Sequence, residues 1–142
     1  MEFLVVDANV IFSCLLKGKA LEILFKLYDK GIKLISPEYF VEEFGRNIDK
    51  LSKQSKLSKE ELLAFASILF SEFVEIVPKD RYERFLEEAK KISPDNKDIP
   101  YFALSLAFNK APIWSREPKL KKQDVVKILF DDEVKEEFEI TV

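Results

Sequence analysis

Phe3-Leu4-Val5-Val6 runs without a polar break into Asp7, and a second apolar run, Val10-Ile11-Phe12, follows Asn9. A short continuous apolar run of this kind reads as a strand buried on both faces, as in a parallel sheet. Asp7 then falls at the strand's carboxyl end, with Ala8 to Leu16 opening a helix. In open α/β sheets the ligand crevice lies outside those carboxyl ends. Two roles are open to Asp7: an N-cap of the helix, which aspartate favours, or a group that does chemistry.

The alternation of strand and helix continues along the chain. Lys19 to Lys30 carries Ala20, Leu24, Leu27 and Tyr28 on one helical face, and Gly31 is placed to end that helix. Ile32 to Ile35 reads as a second strand. Ser36-Pro37 predicts a helix start, with serine as cap and proline at the first helical position. In that third helix Phe40, Val41, Phe44, Ile48 and Leu51 form a stripe of 3.6-residue period. Glu43 falls at the stripe's edge and Glu42 points away from it. Gly45 within the helix costs ~1 kcal/mol relative to alanine, which predicts a close packing contact there. Lys50 to Lys56 reads as a frayed end or loop.

Ser58 and Glu61 form a capping box for a helix through Leu62, Leu63, Ala66, Leu69 and Phe70. Val74 to Val77 is a short strand closed by Pro78. Asp80 and Glu83 repeat the capping signature before an amphipathic helix carrying Tyr82, Phe85, Leu86, Ala89 and Ile92. Asp95 reads as a turn residue. Asp98 is the expected N-cap of a helix from Ile99 to Asn109 that is apolar nearly all round, hence buried on most sides. Ala111 to Trp114 and Val125 to Phe130 supply two more strands. Asp131 to Glu139 reads as a short surface helix, and Ile140 to Val142 as an edge strand or a tail. The expected fold is α/β, three layers with a central, mostly parallel sheet of about five strands, in one domain over residues 1–142.

What is missing narrows the chemistry. The chain has no histidine, which removes Ser-His-Asp and Cys-His catalysis and histidine-ligated zinc. The single Cys14 excludes an internal disulfide and reads as a buried small hydrophobe. Neither a dinucleotide-type nor a P-loop glycine pattern occurs. No apolar run approaches the ~20 residues of a membrane span, and the N-terminus lacks the basic flank and cleavage site of a signal peptide. A cytoplasmic protein with no membrane partner is expected. Catalysis, if present, falls to carboxylates, whose oxygens favour Mg²⁺ or Mn²⁺.

Asp7 and Glu117 follow strands, Asp98 opens a helix and Glu43 edges a helix that follows a strand, and a parallel sheet places three of these naturally at one rim. Converging carboxylates repel one another unless a cation neutralises them. For Glu43 the alternative is a solvated boundary residue, and for Asp98 a cap. Arg46, Lys50, Lys53, Lys56 and Lys59, with Arg116, Lys119, Lys121, Lys122 and Lys127, flank these acids. They are either solvated faces or a track for a phosphate backbone. A net charge of −3 argues against indiscriminate nucleic-acid binding.

Four stretches resemble, in order, the motifs of the PIN domain family: V-V-D-A-N-V-I-F-S at 5–13, S-P-E-Y-F-V-E-E-F at 36–44, D-N-K-D-I-P-Y-F-A-L-S-L-A at 95–107 and P-I-W-S-R-E-P-K-L at 112–120. The resemblance covers essentially the whole chain. It implies a PIN-like fold and Mg²⁺- or Mn²⁺-dependent hydrolysis of single-stranded RNA. Asp7, Glu43 and Asp98 would be the metal-binding acids, with Glu117 assisting and Ser115 positioning water or a ligand. It also implies a homodimer and an antitoxin protein as partner. The fourth motif departs from the family, with Arg116-Glu117 where Asn-Asp is usual. Arg116 is there to contact phosphate or to pair with a site acid. The departure leaves a second reading, a catalytically weak PIN-like module that binds RNA or protein. A phosphohydrolase with Asp7 as covalent nucleophile is the weakest alternative, because Asn9 stands where its acid/base aspartate belongs.

Overall fold

Leu4, Val5 and Val6 are completely buried, as a strand covered on both faces must be. They form β1 (Phe3–Val6) at the centre of a sheet in a computed structural model that describes residues 2–142. The other strands are β2 (Lys33–Pro37), β3 (Val74–Val77), β4 (Ile113–Trp114) and β5 (Ile128–Leu129). Their order is β3-β2-β1-β4-β5, and every pairing is parallel. The expected α/β class, with about five strands, is the one observed.

Parallel neighbours need crossover helices, and those crossovers are right-handed. Stepping from β1 to β2 to β3 therefore puts α1 (Ala8–Leu15), α2 (Lys19–Asp29), α3 (Tyr39–Ser55) and α4 (Lys59–Glu72) on one face. The chain then returns to the far side of β1, so α5 (Leu86–Ile92) and α6 (Ile99–Ala107) cover the other face. Contacts agree: α1 touches α2, α3 and α4, whereas α6 lies on β1, β2 and β4. The last helix, α7 (Asp131–Glu137), packs on α2 and β5. Among the described residues no helix is long and apolar enough to cross a membrane.

Several local expectations are corrected. Ser36 and Pro37 do not start a helix; they extend β2, and α3 begins at Tyr39 without a side-chain cap. The Ser36 hydroxyl donates to the Val6 carbonyl at 2.7 Å within the sheet, and Glu38 N–H, just beyond the strand, donates to Val77 O. Lys50 to Lys56 is not frayed, because Leu51 is buried and α3 runs to Ser55. It stops on Lys56, whose φ of 63° is left-handed. Gly45 makes no close approach; a Cβ built there meets nothing within 4 Å. Val41, expected on the buried stripe, is exposed. Asp80 caps nothing: two short 3₁₀ turns, Lys79–Arg81 and Glu83–Phe85, precede a shorter α5. Ile140 to Val142 forms no strand, and Ile140 N–H instead closes onto Lys135 O at the end of α7.

Candidate active site

In a parallel α/β sheet each crossover helix runs back against its strand, so helix N-termini gather at the strands' carboxyl ends. That geometry sets Asp7 at the end of β1, Glu43 in the second turn of α3, Asp98 at the mouth of α6 and Glu117 just after β4. Strand order reverses between β1 and β4, which is where an open sheet leaves a crevice. Asp7 and Ser115 flank that reversal.

Asp7 is both cap and buried acid. Its Oδ1 accepts from Ala8 N–H at 2.8 Å, and its Oδ2 accepts from the fully buried Ser115 hydroxyl at 2.6 Å. Each oxygen retains a free lone pair. With 4% exposure the carboxyl is costly to ionise, and burial raises its pKa despite the bonds from Ser115 and Ala8; the charge of Glu117 adds to the rise. Ser115 Oγ also accepts from Glu117 N–H at 3.0 Å, so one hydroxyl ties the end of β4 to the end of β1.

Glu43 is half-buried, and its Oε1 accepts from the Tyr101 hydroxyl at 2.5 Å. Burial raises this carboxyl too; the Tyr101 bond and the charges of Arg46 and Lys97 oppose the rise, while Asp7 adds to it. Glu42 is exposed, as its place on the helix predicts.

Asp98 corrects the expectation in an informative way. It occupies the N-cap position of α6 but makes no side-chain cap bond. The capping is done upstream by Asp95, whose Oδ1 accepts from Lys97 N–H at 3.1 Å and opens a 3₁₀ turn over Asn96–Asp98. Asp98 is thus left with its carboxyl unspent on the helix. Burial first, and then the charges of Asp7, Asp95, Glu43 and Glu117, push its pKa up to about 7. Four acids acting on one carboxyl is the electrostatic mark of a shared site.

Glu117 caps the 3₁₀ turn at Pro118–Lys122, its Oε1 accepting from Lys119 N–H at 3.1 Å. Arg116 does not pair with any of the four acids. Its Nε and Nη2 bond Asp131 at 3.3 and 2.7 Å, its Nη1 donates to Ser13 Oγ at 2.7 Å, and its N–H donates to Asn9 Oδ1 at 3.3 Å. Asp131 also accepts from the indole N–H of Trp114 at 2.9 Å. Lys119 reaches Asp95 at 3.4 Å across the rim.

Sequence reasoning missed Tyr101 and Asp131. For Tyr101 a signal existed, since a tyrosine inside an otherwise apolar buried helix needs a partner for its hydroxyl. For Asp131 there was none, because its partners come from a strand end more than a dozen residues earlier.

An all-oxygen donor set in which Asp7, Glu43 and Asp98 are raised by burial and by neighbouring acids suits a hard divalent cation. Among the described residues, however, no three such side chains stand close enough as placed to hold a metal ion. Tyr101 tethers Glu43, and Lys119 N–H occupies one oxygen of Glu117. The acids are thus coupled electrostatically, but among the described residues they do not form a metal-holding cluster as placed. A cavity of about 740 Å³ along β2 and β3, lined by Tyr28, Lys33, Phe70 and Phe73 among others, includes none of the four acids.

A family profile described as "PIN domain" matches residues 5–138. No curated protein matches the sequence. Among solved structures, a chain of VapBC2 from Rickettsia felis, crystallised bound to a DNA fragment from their promoter, is similar in fold. The TM-score is 0.65 at 16% identity, covering 90% of this chain and 98% of that one.

Proposed function

The chain belongs to the PIN domain family, and on that premise we propose that it is a Mg²⁺- or Mn²⁺-dependent endoribonuclease acting on single-stranded RNA. The observation that carries the proposal is Asp98, freed from capping and pushed up to about 7 by burial and by four neighbouring acids. Such a carboxyl gains most from a cation, which removes the repulsion that raises it.

In this reading Asp7, Glu43 and Asp98 hold the ion, and Glu117 assists with the oxygen that Lys119 N–H leaves free. Ser115 fixes the orientation of Asp7, and Arg46, Lys97 and Lys119 ring the acids as contacts for phosphate. When bound, the metal supplies a water of lowered pKa and stabilises charge on a phosphodiester. The test is incubation of a labelled single-stranded RNA with purified protein and Mn²⁺ or Mg²⁺. Cleavage that disappears in Asp7→Asn is expected; cleavage unchanged in that variant overturns the assignment.

A second reading has its own support. Glu117 spends one oxygen on a 3₁₀ cap, and Arg116 is turned away to Asp131. That arrangement favours a weakly catalytic module that binds RNA or protein. RNA retained on the protein but uncut under both metals is its signature. An antitoxin protein is proposed as partner on the likeness to a VapBC2 chain, and a homodimer on the family resemblance. Co-expression with a neighbouring small open reading frame and light scattering test the two.

A further inference from the structure

Tyr101 lies in the first turn of α6, with its ring completely buried and its hydroxyl on Glu43 Oε1 at 2.5 Å. The charges of Glu43, Asp7 and Asp98 all act on this hydroxyl. A buried phenol has few ways to satisfy its proton, and here it has taken a carboxylate as acceptor. Glu43 and Tyr101 come from opposite faces of the sheet, on α3 and α6. Their bond therefore spans the crevice. Among the described residues it also leaves Glu43 Oε2 without a hydrogen-bond partner while Oε1 is pinned. Glutamate has a long, flexible arm whose ordering is costly, and Asp7 repels it. An arm already anchored bears less of that cost when a cation arrives.

We propose that Tyr101 is the positioning residue of the metal site: its hydroxyl holds Glu43 Oε1 so that Oε2 is presented towards Asp7 and Asp98 as a ligand. This inference depends on the metal-binding reading above. It adds a residue from outside the acidic set and assigns a separate role to each oxygen of Glu43. Partners that orient a metal ligand typically change affinity 10–100-fold when removed.

The experiment is calorimetric titration of Mn²⁺ into wild type, Tyr101→Phe, Glu43→Ala and the double variant, each with a melting curve recorded without metal. Phenylalanine keeps the ring and deletes only the hydroxyl, so the fold is expected to survive. Wild type should bind Mn²⁺, Tyr101→Phe should bind roughly 10- to 100-fold more weakly, and in the Glu43→Ala background the same change should have no further effect. An unchanged or tighter affinity in Tyr101→Phe overturns the positioning role and leaves the metal site standing. An equal loss in both backgrounds overturns it as well, because general packing damage does not depend on Glu43. No binding by wild type overturns the metal-site reading itself, and this inference with it. Should Tyr101→Phe not fold, the Mn²⁺ electron paramagnetic resonance spectrum of Glu43→Gln decides. The Glu43→Gln side chain keeps an oxygen acceptor for Tyr101 and turns a non-ligating amide nitrogen to the ion, so its spectrum should match that of Glu43→Ala, and a spectrum like that of wild type rules the role out.

Discussion

Ser115 Oγ donates to Asp7 Oδ2 at 2.6 Å, joining the end of β4 to the end of β1 where the sheet reverses its direction of winding. Both groups are buried, so neither has water as an alternative partner. Removing the hydroxyl leaves a buried carboxyl oxygen and the Glu117 N–H without a partner, which typically costs about 1–3 kcal/mol. Ser115→Ala is expected to lose stability of that order in urea unfolding. A loss below about 0.5 kcal/mol, the usual scale of a neutral surface change, would contradict this account of the rim.

The raised carboxyls give the metal-free protein an inverted pH response. Asp98 has a folded pKa of about 7 against an ordinary value of 3.8. Between those values the folded chain holds the proton and the unfolded chain has lost it, so stability falls as the pH rises through this window. Asp7 and Glu43 are shifted in the same direction. Asp131 behaves oppositely. Burial raises it, but the bonds from Arg116 and Trp114 outweigh that and hold it low, so its contribution is lost as the pH falls below the ordinary carboxylate range. The melting temperature without metal should therefore be highest at the acid end of this window, at about pH 4, and decline until about pH 7. Asp98→Asn should flatten the decline, and saturating Mn²⁺ at pH 8 should reverse it. A wild-type profile that rises steadily to pH 8 without metal refutes the prediction.

Helix α3 carries a glycine where a side chain fits and a lysine where glycine fits. Gly45 lies in its interior with open space around its missing Cβ, and Lys56 ends it in the left-handed region. Gly45→Ala should stabilise by roughly 1 kcal/mol and Lys56→Gly by up to about 1 kcal/mol. The two sites are about three helical turns apart, beyond direct contact, so the effects should add. Thermal melts of the single and double variants check this, and a destabilised Gly45→Ala would expose an unseen contact.

Asp131 should matter more than its partner. Arg116→Ala breaks a partly exposed ion pair, worth about 0–1 kcal/mol. Asp131→Ala breaks the same pair and also strands the indole N–H of Trp114, whose residue is completely buried. That second loss adds about 1–3 kcal/mol. Urea denaturation should order the variants accordingly, and equal losses would mean that the indole bond carries no weight.

Much of the architecture was readable from apolar runs and helical stripes, because burial on one or two faces imposes those patterns directly. Helix starts were read less well. Ser36-Pro37 has the composition of a cap, yet the Ser36 hydroxyl found a sheet carbonyl 30 positions earlier in the chain. Asp98 was assigned a cap that Asp95 makes instead, a choice between two aspartates that depends on the local 3₁₀ turn. The Asp131–Arg116–Trp114 cluster left no trace in the sequence, since only the approach of α7 to the end of β4 brings it together. The places of the four acids at strand ends and helix starts can be read along the chain; their hydrogen-bond partners cannot, because those come from across the sheet.

The central strand is the first to be made, yet its second neighbour and the hydroxyl that orients its aspartate come 108 positions later. At about 5–20 residues per second, roughly 5 to 20 seconds separate the synthesis of Asp7 from that of Ser115. During that interval a growing chain holds its first acid without the strand that completes the rim. Translation thus sets the order of assembly, and Asp7 has no Ser115 hydroxyl to accept from until β4 and the residue after it have been made.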